Sequence, residues 1–298
     1  MIDRYLLRYF LAVVDQGNFS RAAAYCNVSQ PTLSVGIAKL EQALGARLFT
    51  RSNQRIEITS AGTRFLAHAR RIEREFNLAL RAMDVAVDAP TLRLGLLGSV
   101  SDDIIAAALG ESRGGSASGH RRPIELVYGN ERELAGHLAR GRIDIALTLV
   151  GRGGDRFVER PIVEEGYALA MAATHPLGER TEIAAEELAD EVMIVRRHCE
   201  ALSDTSRHFT ERGVRPHFAL RSTNDDRVLR MVAAGVGITV MPQSHRFPGV
   251  SRPRLTGFTL RRTVGWAHAP DAEASIADDD GLLGMIGARL RESGTPAP

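Results

Sequence analysis

Apolar residues along the first eighty-odd positions recur at helical spacing, broken at short intervals. Leu6, Phe10, Val13 and Val14 share one face, and Gly17 can take the left-handed stop, so the pattern predicts a first helix from Asp3 to Asp15. Ser20 is the expected N-cap of a second, short helix running to Cys26, where Ala22 and Ala23 are small enough for a neighbouring backbone to come close. Asn27-Val28-Ser29 breaks the pattern. Ser29 then caps a third helix with Pro31 in its first turn, where a missing N–H costs nothing, and with Leu33, Ile37 and Leu40 on the buried face. Gln30, Thr32, Ser34 and Val35 are left facing outward. The Phe49 and Ile56/Ile58 alternation around Ser52-Asn53-Gln54 reads as a hairpin with Arg51 and Arg55 at its tip. From Thr59 to Val87 a long helix carries Phe65, Ile72, Phe76, Leu80, Met83 and Val87 along one side.

Beyond Ala89-Pro90 the period changes. Residues 91–99 read as a buried strand before a helix from about Ser101, followed by a strand at 124–128, a helix at 130–140 and a strand at 143–150. After FVERPIV, strands are expected at 167–173, 192–195, 218–221, 237–242 and 259–267. Helices are expected at 184–188, 202–212, 225–234 and 281–291. The segment 111–122, ESRGGSASGHRR, is of low complexity and reads as a loop; Asp278-Asp279-Asp280 is expected to cap the closing helix.

Composition sharpens this outline. The 298 residues, 44% hydrophobic and 25% charged, suit a globular chain of two or three domains. The net charge of +2 hides an asymmetry: residues 1–89 hold twelve Arg and Lys against eight Asp and Glu, while the remainder is slightly acidic. A basic excess confined to one small domain is the footprint of a polyanionic partner. Two cysteines, Cys26 and Cys199, make no disulfide framework, and Asp3, Arg4, Arg8 and Asp15 interrupt the first apolar run. A cytoplasmic chain without membrane contact is therefore expected.

Two short helices joined by a tight turn make a helix-turn-helix, whose second helix is shaped for the major groove. The hairpin makes a wing whose arginines can grip phosphates or the minor groove. The long helix, roughly 40 Å if complete, needs a partner for its apolar stripe, and a second copy is the economical one. The residues Phe19-Ser20, Ala22-Ala23, Ser29-Gln30-Pro31, Leu40-Glu41, Leu44-Gly45, Leu48-Phe49, Arg51 and Thr59-x-Ala61-Gly62, in this order, resemble the N-terminal domain of the LysR-type transcriptional regulators. One departure is Val35-Gly36, where larger polar residues are usual. It shifts the expectation of base reading to Gln30, Thr32 and Ser34, with Ser29, Pro31, Arg51 and Arg55 completing the DNA-binding set.

The resemblance implies a winged helix-turn-helix domain at 1–62, a linker and dimerisation helix at 63–89, and an α/β effector domain at 90–298. That domain has two lobes of periplasmic-binding-protein type 2, lobe one 90–163 with 268–298 and lobe two 164–267, with crossovers near 162–165 and 265–268. Promoter DNA, a small effector, further copies up to a homotetramer, and RNA polymerase are the partners it implies. No cofactor, metal or catalytic residue is expected.

Ligands in open α/β sheets sit beyond the carboxyl ends of strands. Ser99-Val100-Ser101, Leu147-Thr148, Arg196-Arg197-His198-Cys199 and Thr223-Asn224 occupy such places. By resemblance they line an interlobe pocket, and an arginine pair beside serine hydroxyls suits a small organic anion. Peroxide-sensing members carry a reactive His-Cys in the loop of Cys199, but His208 stands where a second cysteine would be sought. Cys199 thus reads either as a redox thiol or as a cleft-lining side chain. An enzyme is the rival class, yet HExxH, Walker and GxSxG motifs are missing, Gly235-Val236-Gly237 lacks the third glycine of a dinucleotide fingerprint, and the nine histidines do not cluster. A solute-binding protein would share the lobes without needing a helix-turn-helix.

Overall fold

A computed structural model describes residues 2–52, 55–83, 91–114, 123–152, 156–272 and 281–294. Its chain contacts define two compact units, Met1–Asp88 with Ala135–Ile143, and Ala89–Leu134 with Asp144–Pro298.

The first unit opens with α1 (Arg4–Gln16), which ends at Gly17 in the left-handed conformation. Helix α2 (Phe19–Tyr25) is capped by Asn18 rather than Ser20: the Asn18 Oδ1 accepts from the Ser20 and Arg21 amides at 2.8 and 3.1 Å. Starting two residues earlier puts Phe19 inside the helix, where it packs on the core. Helix α3 (Gln30–Leu44) has Ser29 as N-cap and Gly45, left-handed, as its stop. Strands β1 (Phe49–Ser52) and β2 (Arg55–Ile58) pair antiparallel, and α4 (Ser60–Met83) follows. The core gathers Leu6, Phe10, Val13, Ala22, Ala23, Leu33, Ile37, Leu40, Leu48 and Phe49. Each fully buried large side chain there contributes about 1.5–3 kcal/mol.

Phe65 does not belong to the exposed stripe of α4. It meets Phe10 edge-on at 5.2 Å, because the first turns of α4 are laid against α1 by the short wing. Ile72, Phe76 and Leu80 do face outward at four-residue spacing. The Met83 side chain and residues 84–90, Val87 among them, lie outside the described residues.

The second unit alternates as the pattern requires. Its first half is β3 (Leu92–Leu97), α5 (Asp102–Gly114), β4 (Ile124–Gly129), the start of α6 (Glu131–Ala139), whose residues from Ala135 onward are grouped with the first unit, β5 (Ile145–Leu149) and β6 (Val158–Glu165). The second lobe holds β7 (Tyr167–Ala172), β8 (Glu182–Ile183), a short 3-10 turn at Ala185–Leu188, β9 (Val192–Arg196), α7 (Leu202–Glu211), β10 (His217–Ser222), α8 (Asp225–Ala233), β11 (Thr239–Pro242), β12 (Val250–Ser251) and β13 (Arg254–Leu255). The chain returns through β14 (Arg262–His268) and closes with α9 (Leu282–Gly294). Residues 111–114 of the expected loop extend α5; 115–122 and Asp278 to Asp280 lie outside the described residues.

Lobe one is a five-stranded sheet ordered β4-β3-β5-β14-β6, parallel through β5 and antiparallel thereafter. Lobe two centres on β11-β7-β12, with the parallel pair β10-β9 attached through a bridge between Met193 and Ile238. The first crossing is Gly166 alone, between β6 and β7, at the edge of the expected 162–165. The return differs: β14 lies wholly in the lobe-one sheet, so the chain crosses back before Arg262 and not at 265–268. Gly265, which reads locally as a hinge, sits at a bulge where a Cβ would come within 2.4 Å of the Arg160 carbonyl. Close strand approach explains that glycine.

Candidate functional site

Helix α3 presents its polar edge to solvent. The Ser29 hydroxyl lies 2.7 Å from the Thr32 hydroxyl and accepts from the Thr32 amide at 3.3 Å; Gln30 Nε2 donates to Ser34 Oγ at 2.8 Å. Pro31 and Thr32 are exposed, Val35 is 56% exposed, and Leu33, Gly36, Ile37 and Leu40 point inward. The polar side chains are thus held in place before any partner arrives. Gly36 lies on the buried side: a Cβ there would come 2.6 Å from the Tyr9 ring, so the glycine serves the α1–α3 contact and leaves the outward edge to its neighbours.

Three residues known only as pattern members acquire physical roles. The Glu41 carboxylate, buried at the end of α3, accepts from the Leu48 and Phe49 amides at 2.8 and 3.2 Å and thereby fixes the entry to the wing. Thr59 donates its hydroxyl to the Arg47 carbonyl at 2.7 Å and caps α4 by accepting from the Gly62 amide at 3.0 Å. A Cβ on Gly62 would lie 2.4 Å from the Leu48 carbonyl oxygen, which closes that position to any other residue without movement of the backbone. The backbones of Arg51 and Arg55 are in the wing strands, Arg51 opposite Ile56 and Arg55 opposite Ser52. Their side chains and residues 53–54 lie outside the described residues.

In the second unit the expected effector residues divide. Leu147 is core, wholly buried in β5, and Val100 is buried as well. Ser101 borders a small cavity of about 180 Å³ with Ser244 and Arg246. Thr148 is buried with its hydroxyl unpaired among the described residues. Asn224 caps α8 by accepting from the Arg227 amide at 2.8 Å, and Thr223 and His198 are exposed. Arg196, Arg197 and Cys199 do converge, on a cavity of about 900 Å³ in lobe two between α7 and the β9–β10 pair.

The two residues of the arginine pair have different fates. Arg196 is buried and its donors are spent inside the lobe: Nε on Asp225 Oδ1 at 2.8 Å, Nη2 on the other Asp225 oxygen, and Nη1 on the Val240 carbonyl at 2.9 Å. Arg197 is exposed at the cavity rim, where Arg215 and Arg221, from beyond α7 and from β10, join it. None of these three pairs with a carboxylate among the described residues. Leu202, Phe209, Val214, Phe218 and Val240 supply an apolar wall. The rim arginines 215 and 221 are scattered along the sequence, so only the fold brings them to Arg197.

Cys199 lines the same cavity, its sulfur 3.2 Å from Arg196 Nη1. Burial pushes its thiol up, and the Arg196 charge opposes this without overcoming it. Cys26 belongs to the other unit, packed against that core, and burial pushes its thiol up too. Glu200, next in sequence to Cys199, carries no sequence signal and proves central. Burial would push its carboxyl up, but Arg262 and Arg196 outweigh that and hold it at about 2. His245 is fully buried; burial, and then the charges of Arg196, Arg262 and Arg252, push its ring well below the usual imidazole range.

No helix among the described residues is long and apolar enough to cross a membrane, and none of their His, Cys, Asp and Glu side chains group as a metal site. Residues 5–63 match the bacterial regulatory helix-turn-helix family of lysR type, and residues 86–277 match the LysR substrate binding domain. A hydrogen peroxide-inducible genes activator of Pectobacterium carotovorum is 30% identical over 243 residues, 79% of this chain and 78% of the relative. The DNA-binding transcriptional dual regulator OxyR of Escherichia coli K12 is 27% identical over 272 residues, 89% of this chain and 88% of the relative. Full-length OxyR from Pseudomonas aeruginosa shares the fold at TM-score 0.58 and 22% identity over 100% of this chain and 99% of that one. HinK, a LysR family regulator from the same species, does so at 0.56 and 20% over 98% and 99%. A capped helix-turn-helix with a wing, joined to a two-lobed α/β domain and matched by both family descriptions, places this chain in the LysR family of DNA-binding transcriptional regulators.

Proposed function

We propose that this regulator responds to a small amphipathic organic anion bound in the lobe-two cavity. One observation carries the reading: among the described residues Arg197, Arg215 and Arg221 have no carboxylate partners, and they stand around an apolar wall in a space of about 900 Å³. Guanidinium groups left in this way favour a carboxylate or sulfonate at the rim, while the wall takes an aromatic or branched body. On the DNA, Gln30, Thr32 and Ser34 read base edges from the major groove, and Arg51 and Arg55 grip backbone or minor groove. The Ile72, Phe76 and Leu80 stripe pairs two copies, and dimers associate into a tetramer that meets RNA polymerase at the promoter. Effector binding shifts the population of lobe arrangements and hence the spacing imposed on the DNA.

The test is a thermal-shift panel pairing aromatic carboxylates with their uncharged amides, followed by promoter binding with the ligands that score. Carboxylates should stabilise the protein and the amides should not, and Arg197→Ala with Arg221→Ala should abolish the difference. Stabilisation by amides alone would overturn the reading. A second reading is favoured by Cys199 lining the cavity beside Arg196 and by the peroxide-inducible activators among the relatives. It predicts that peroxide alters promoter affinity in the wild type and not in Cys199→Ser, with the carboxylate panel silent. The raised thiol pKa weighs against it, since the thiolate is the reacting form.

A further inference from the structure

Leu33, Ile37 and Leu40 make the buried side of α3. Given the helical repeat, the opposite side falls on Pro31, Val35 and Gln42, all of them exposed. Gln30 and Ser34 run along one flank of this ridge, and Thr32 and Lys39 along the other. Val35 stands at its middle, 56% exposed, while the next residue, Gly36, is buried against the Tyr9 ring. The hydroxyls on the flanks are already engaged, Thr32 with Ser29 at 2.7 Å and Ser34 with Gln30 Nε2 at 2.8 Å. The Val35 side chain has no hydrogen-bonding group to offer, and it takes no part in the core beneath the helix.

Membership of a DNA-binding family supplies the partner for this ridge, and the major groove offers an apolar side chain one feature to read. Thymine carries a methyl group at C5, whereas the edges of the other three bases present hydrogen-bond donors and acceptors there. A valine pressed on that methyl removes apolar surface of both groups from water. Pressed on an amino edge, it strips water from a donor and returns no acceptor. The helix also holds a β-branched side chain in one preferred rotamer, so the Val35 methyls are fixed relative to the helix axis before DNA arrives. We propose that Val35 reads the C5 methyl of a thymine, and that this apolar contact sets base preference at the centre of the recognition helix. The inference rests on the placement of α3 in the major groove given above, and adds a readout that needs no hydrogen bond.

Uracil lacks only that methyl and keeps every hydrogen-bonding edge of thymine, so exchanging one for the other isolates the contact. An operator is selected from random duplexes with the full-length protein, and each fixed thymine is replaced in turn by uracil. Affinity of the wild type should fall about fourfold at one thymine in each half-site, the effect of returning a single methyl to water. Val35→Ser, at an exposed position where the fold loses little, should bind the thymine and uracil duplexes equally there and respond as the wild type does at every other thymine. If no exchange weakens the wild type, or if every thymine that matters to the wild type still matters to Val35→Ser, the methyl contact is refuted. Gln30→Ala separates that result from a failure of the helix placement. Relaxed preference at other bases in Gln30→Ala, with no thymine that depends on Val35, overturns the methyl contact alone. Unchanged preference in both variants overturns the placement and the contact with it.

Discussion

Glu41 offers the sharpest test of how the DNA-binding unit is held together. Its carboxylate has two kinds of partner: the Leu48 and Phe49 amides, both on Oε1, and the Arg47 guanidinium at 3.2 Å on Oε2. The Arg47 side chain is 82% exposed, so that ion pair is worth only about 0–1 kcal/mol. Each buried amide left without an acceptor costs about 1–3 kcal/mol. Glu41→Ala should therefore destabilise the wing entry by about 2–5 kcal/mol, whereas Arg47→Ala should cost less than about 0.5 kcal/mol. Glu41→Gln keeps the oxygen that serves both amides and loses only its charge, so it should fall between them, at about 1–2 kcal/mol. Hydrogen exchange at Leu48 and Phe49, measured by mass spectrometry on the full chain, reads this out locally; a factor of ten in exchange corresponds to about 1.4 kcal/mol. Glu41→Ala should accelerate exchange at these two amides by about thirtyfold or more. If Arg47→Ala does as much, the ion pair and not the backbone acceptor supports the wing, and the reasoning is refuted.

In salt titrations of promoter binding, Arg51→Ala should weaken affinity for all sequences and reduce the salt slope by about one, while Gln30→Ala should leave the slope intact and relax preference at particular bases. Gly62→Ala gains about 1 kcal/mol of helix propensity but forces a Cβ against the Leu48 carbonyl, a backbone atom that also accepts from the Thr59 amide. The clash should win, so urea denaturation followed by circular dichroism should show a net loss of about 1–3 kcal/mol in the first transition. Asp226 titrates against its neighbours: burial first, then a hydrogen bond and charge from Asp102 and the charges of Asp103 and Asp225, push its carboxyl up to about 7. The folded state then holds this proton more tightly than the unfolded chain, and stability falls as pH rises from about 4 to about 7. Asp226→Asn should consequently be more stable than the wild type above pH 7, with the advantage vanishing near pH 4. A constant difference across that range would show that Asp226 is ionised throughout.

Much of the architecture was legible because its determinants are local. Gly17 and Gly45 sit at the helix ends where left-handed backbone is required, and Ser29 and Pro31 mark the start of α3 within one turn. The order of strands and helices in the second unit follows from runs of five to ten residues whose period is visible without a partner. The Ser20 expectation failed by two residues because an asparagine just upstream makes the same amide contacts from further back. Gly265 suggests a crossing for a related reason: a glycine at a bulge and a glycine at a hinge are locally alike, and only the pairing of β14 places the return before Arg262.

What tertiary structure decided is the fate of the charges. Arg196 and Arg197 are adjacent and chemically identical, yet one is consumed by Asp225, 29 residues away, and the other stands exposed at a cavity rim with no carboxylate partner among the described residues. Glu200 receives Ser99 across 101 residues and Arg262 across 62, separations at which no propensity or spacing rule operates. Local backbone preference is set by a residue and its few neighbours, and sequence alone determines it. Whether a buried charge is neutralised, shared or available depends on which distant groups the closed fold brings within hydrogen-bonding range, and the folded chain alone determines that.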